Sequence, residues 1–87
     1  MQVTLTKAQH RAVNALRGLP AGAHMLVMCS SSTESGGILD GNSNDFDELV
    51  SHINEELADG TISASASRTL AAVCVKIDPS SADWLGM

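Results

Sequence analysis

His24-Met25-Leu26-Val27-Met28-Cys29, with the residues on either side of it, decides how this chain is read. The segment follows Gly22 and is nearly continuous in apolar side chains. A short apolar run bounded by turn formers reads as a buried strand, here over 23–30. Ser30-Ser31-Ser32-Thr33-Glu34-Ser35-Gly36-Gly37 comes next, polar and rich in turn residues. Ile38-Leu39 is a second short apolar segment before Asp40-Gly41. Strand, long polar tip and second strand predict a β-hairpin. Most of what surrounds it reads as helix, so the hairpin sets the class. The expectation is α+β: one small domain over 1–87, with an N-terminal helix, a β-hairpin, then a helix and a second helix or strand.

Upstream, Met1 to Leu5 alternates enough for a short leading strand. Thr6-Lys7-Ala8-Gln9 fits a capping box, with Thr6 as N-cap and Gln9 three residues on. Ala8, Ala12 and Leu16 then recur at helical spacing, widened by Val13 and Ala15, until Gly18 and Pro20 stop the helix. Downstream, residues 45–58 carry the clearest pattern. Asp45 to Glu48 is a second capping box. Phe46, Leu49, Val50, Ile53 and Leu57 form one apolar stripe, and Gly60 ends the element. Residues 63–77 satisfy two periods at once. Leu70, Val73, Cys74 and Ile77 are spaced as a helix, while Ala71, Val73, Val75 and Ile77 alternate as a strand. Alanine content and Ser63 or Ser65 as N-cap favour the helix. Asp78 to Leu85 reads as a short capped turn that returns Trp84 and Leu85 to the core.

The composition bounds the core. Phe46 and Trp84 are the only aromatic residues among 87. Aromatic rings normally supply much of a core's burial. A small aliphatic core is marginal, and shared burial with a second copy is one remedy. A homodimer is therefore expected, covering Met25, Met28, Leu70 and Val75. No apolar run approaches the roughly 20 residues that cross a bilayer, so no membrane role is expected. Met1 to Arg17 has no apolar core of a signal peptide. Cys29 and Cys74 lie in apolar runs, where free thiols act as small hydrophobes, and a cytoplasmic location is the natural reading.

Catalytic and metal-binding patterns fail at specific residues. Asp40-Gly41-Asn42-Ser43-Asn44-Asp45 resembles the opening of a calcium loop. Asp45 then stands where the sharp-turn glycine belongs, and Ser51 where the bidentate glutamate belongs. His10, His24, His52, Cys29 and Cys74 include no pair at zinc spacing; His24 reads as a strand-end residue, and His10 and His52 as exposed helix residues. Cys29 at a strand end has no arginine nearby to lower its pKa. The hydroxyls of Ser30 to Thr33 have no adjacent base in sequence, and Gly36-Gly37 lacks the lysine and helix of a phosphate loop. No enzyme, cofactor or metal is expected.

Charge carries the remaining signal. Lys7, Arg11 and Arg17 lie in residues 1–33, which hold no acid. Glu34, Asp40, Asp45, Asp47, Glu48, Glu55, Glu56 and Asp59 lie in 34–59, which hold no base. With a net charge of −5, binding to phosphate backbones is disfavoured. Acids in the last turn of a helix oppose its dipole. The favoured reading is a non-catalytic protein-binding module, an inhibitor or regulator, that meets a basic partner through Asp47, Glu48, Glu55, Glu56 and Asp59. One alternative is a DNA-binding regulator with a helix-turn-helix in 45–77, led by Ser65, Ser67 and Arg68. Another is a ligand-binding protein or enzyme built on the Cys29 to Gly37 loop. A solvated helix face is the plain alternative to all three.

Overall fold

The computed structural model describes residues 2–60 and 62–79. The capping box at Thr6 forms as the sequence predicts. Gln9 N–H donates to Thr6 Oγ1 at 3.2 Å, and Thr6 N–H donates to Gln9 Oε1 at 3.0 Å. This reciprocal pair turns a strand, β1 (Gln2–Thr6), directly into a helix, α1 (Lys7–Asn14). Gln9 and Val13 are the buried residues of α1; Ala12 and, past the helix end, Leu16 are partly buried against the core as read, while Ala8 is exposed. Gln9 can sit inside because its Oε1 also accepts from Lys76 Nζ, at 2.7 Å.

The main correction falls on 23–30. That segment is not a strand but a helix, α2 (Ala21–Met28). Ala23, Leu26 and Val27 are buried, at the i, i+3, i+4 spacing of one helix face. Met25 and Met28 point away and are 58% and 69% exposed. An unbroken apolar run suits either period, so only burial separates them. Alanine, leucine and methionine are good helix formers, and Val27 is the only β-branched residue in the segment. Pro20 sets the N-cap with φ −57°.

The hairpin predicted between 23–30 and Ile38-Leu39 does not form; Ile38-Leu39 lies in a strand that pairs instead with part of the predicted tip. The two strands are β2 (Ser31–Thr33), read above as loop, and β3 (Gly36–Asp40), joined by a tight turn at Glu34 and Ser35. The sheet is antiparallel in the order β1-β3-β2, with Val3 opposite Leu39, Leu5 opposite Gly37 and Thr33 opposite Gly36. Gly36 has φ +151°, and a Cβ there would run into the carbonyl of Leu5. Only glycine fits at that point.

Two C-terminal helices complete the α+β domain. The first, α3 (Ser43–Asp59), starts earlier than expected. Its N-cap is Asn42, whose Oδ1 accepts from Asp45 N–H at 2.9 Å, so Asp45 lies inside the helix and does not cap it. Gly60, at φ +66°, closes it in the left-handed conformation. The ambiguous segment is a helix, α4 (Ala64–Ile77), with Ser63 as N-cap. Of the turn predicted after it, residues 80–87 lie outside the described residues.

Phe46, Leu49 and Ile53 of α3 share one buried core with Leu70, Val73 and Cys74 of α4 and with Leu5 and Leu39 of the sheet; α3 packs on α4 and α2, and α4 packs on β1. Each such large side chain contributes about 1.5–3 kcal/mol on burial. Leu70 is buried within the chain itself and Val75 is partly covered, so neither needs a second copy to hide it.

Candidate acidic face on α3

The 17 residues of α3 form an amphipathic helix whose inner line is Phe46, Leu49, His52 and Ile53. The outer side carries the acids. Glu48, Glu55 and Asp59 lie at i, i+7 and i+11, which sets them along one side of the helix over about 16 Å. Asp47, Glu48, Glu55 and Asp59 are exposed, and Glu56 is half-buried. The five residues predicted to meet a partner thus share one helix, but they do not have equal freedom.

Glu48 is engaged at home. It leans with Asp45 over the first turn of α2: a Cβ on Gly22 would meet the carboxylates of both. The start of α2 has no side-chain cap and no acid of its own. Two carboxylates from α3 therefore sit where the partial positive charge of α2 is strongest. The absence of a side chain at Gly22 makes room for them.

Glu56 lies near a buried ring nitrogen that has no hydrogen-bond partner among the described residues. Its Oε1 lies 3.6 Å from Nε2 of His52. His52 was expected to be exposed and is instead 8% exposed, in the inner line of α3. Its place follows from spacing, since it stands three residues after Leu49 and one before Ile53. Glu55 and Asp59 have no base in the last turn of α3 to offset the helix dipole.

The basic side chains of the N-terminal region do not neutralise this face. Among the described residues no ion pair joins Lys7, Arg11 or Arg17 to an acid of α3. The packing explains why: α1 lies against β1, β3 and α4, while α3 lies against α2 and α4.

The other candidate constellations resolve as follows. His10 and Ser30, 20 positions apart in sequence, come together with Nε2 3.0 Å from Oγ. The Ser30 hydroxyl donates to Val27 O at 2.7 Å, so its proton is already placed. His10 Nε2 must then be the donor to Ser30 Oγ, the reverse of what nucleophile activation needs. The His10 ring lies over Gly37, which has no side chain to obstruct it. Cys29 is exposed at the end of α2, and His24, expected at a strand end, lies exposed on α2. Cys74 is buried, and burial pushes its thiol up to about 11. Among the described residues no three His, Cys, Asp or Glu side chains are grouped to hold a metal ion, and no helix is long and apolar enough to cross a membrane. In the first turn of α4, Ser65 and Arg68 are exposed and Ser67 is half-buried. Arg68 is the only base there, a thin footprint for DNA.

No family model, curated protein or solved structure matches the chain.

Proposed function

We propose that this protein is a non-catalytic binding module that docks a basic protein partner through the outward acids of α3. One observation carries the reading. Asp47, Glu55 and Asp59 are exposed, and among the described residues no base pairs with them. Their charge is therefore available to a partner. Glu48, which leans over Gly22, and the half-buried Glu56 add to the local potential. A patch of one sign raises the rate of encounter with an opposite surface more than it raises final affinity.

The test neutralises the free acids alone. A variant carrying Asp47→Asn, Glu55→Gln and Asp59→Asn keeps the fold, since exposed charges contribute about 0–1 kcal/mol each. Wild type and variant are immobilised and exposed to the same native extract at low salt. Basic proteins held by the wild type and lost by the variant support the reading, and the association rate of the strongest of them should fall and lose its salt dependence. An identical set of retained proteins, bound at the same rate, refutes it.

A further inference from the structure

The sheet has two edges, and they are guarded differently. At β1, Lys76 Nζ donates to Thr4 O at 3.0 Å and holds an ammonium against that strand's backbone. A lysine on an edge strand blocks the approach of another strand. At the other edge, β2 pairs with β3 on one side only, and all three of its residues are exposed. Among the described residues no charged side chain is bonded to it. Gly18 to Thr33 is a run of 16 residues without Asp, Glu, Lys or Arg, the longest in the chain. Within that run α2 exposes Met25 and Met28, and Met28 stands three residues before β2 begins.

We propose that β2 and the methionine face of α2 form a self-association surface. A second copy of this chain seats its own β2 antiparallel to the first across a two-fold axis, and two three-stranded sheets join into one of six strands. The edge amides and carbonyls make the pairing, and the methionines supply buried area.

Three observations select a second copy as occupant. With the two-fold axis at Ser32, that residue meets its own copy and Ser31 meets Thr33 of the other chain. A charged strand would face like charge there, whereas Ser31-Ser32-Thr33 meets hydroxyls. Two copies at −5 each repel, so they can meet only where acids are absent, and the uncharged run is that place. Methionine is unbranched and flexible, and packs against another methionine without a preformed socket. Three edge residues and two methionines per copy make a small interface, so the dimer is weak and depends on concentration.

The acids of α3 are a separate surface, and the two ideas fail separately. Sedimentation equilibrium up to high micromolar concentration should show the wild type passing from monomer to dimer. Ser31→Lys and Met28→Lys, both at exposed positions, should each hold it as a monomer with an unchanged circular dichroism spectrum. The variant with Asp47→Asn, Glu55→Gln and Asp59→Asn should still dimerise. In a Cys29→Ser background, Ser32→Cys should cross-link under mild oxidation, because residues opposite each other across an antiparallel pair lie about 4.5–5.5 Å apart at Cα. Ser35→Cys, displaced from the axis, should not. A wild type that stays monomeric overturns the proposal, as does a dimer that survives both lysines. A dimer that the lysines dissolve but Ser32→Cys does not cross-link overturns the strand pairing.

Discussion

The helices α2 and α3 pack against each other, yet they turn opposite chemistry outward. On α3 the outer side is acidic and the inner line is large: Phe46, Leu49 and Ile53. On α2 the inner side is small, Ala23 with Leu26 and Val27, and the outer side is methionine with no charge. Their ends differ as well. α3 has a side-chain cap at Asn42 and a left-handed glycine at its end, whereas α2 has no side-chain cap and takes its first-turn acids from α3. An element with long inner side chains and its own caps carries its stability within it. An element of eight residues with neither depends on its neighbour. The difference teaches how each surface is held: the acids stand on a helix with its own caps, and the exposed methionines on one that leans on its neighbour.

The largest expected effect tests the inner line. Phe46→Ala should cost about 3–5 kcal/mol by chemical denaturation, because the ring is enclosed and its removal leaves a cavity. Met28→Ala, on the outer side of α2, should change monomer stability by no more than about 0.5 kcal/mol. Equal costs at the two sites would mean that α2 is packed in solution as α3 is.

The cysteines sharpen the same contrast. Cys29 ends α2 and is exposed, while Cys74 lies in the shared core. A native-state thiol assay should therefore titrate Cys29 quickly and Cys74 only on unfolding. Cys74 also sets a pH dependence. Its folded thiol is raised from 9.0 to about 11, so below pH 9.0 both folded and unfolded forms keep the proton. Above that, the unfolded chain loses its proton first, and stability falls as pH rises from 9.0 to about 11. The loss reaches about 3 kcal/mol at most, at about 1.4 kcal/mol per pKa unit. Cys74→Ala should be less stable at pH 8 but lose less over that range. An unchanged slope would place the cause in other groups.

The caps give an intermediate effect. Asn42→Ala removes the acceptor for Asp45 N–H and should cost about 1 kcal/mol by thermal or chemical unfolding. The smallest change tests the help that α3 gives α2. Glu48→Gln should cost about 0.3–1 kcal/mol, and this loss should shrink in high salt as charge near a helix terminus does. A salt-independent loss would show that Glu48 acts by packing over Gly22 and not by its charge.

Much of the domain was legible because its signals are local. The Thr6–Gln9 box, the stripe from Phe46 to Leu57 and the stop at Gly60 need only neighbouring residues, and each stands as read. The acids of α3 were legible for the same reason: helical spacing alone sets Glu48, Glu55 and Asp59 on one side. By itself the sequence determined the α+β class, the acidic helix and the absence of charge from Gly18 to Thr33. Tertiary structure decided the rest. An apolar run without alternation carries no period, so only packing on α3 and β3 made 21–28 a helix and set the hairpin at Ser31–Asp40. His52 is inside because the turn around it is inside. Glu48 reaches Gly22 and Lys76 reaches Thr4 across separations that no local pattern records, and those contacts settle which acids are free and which sheet edge is left open.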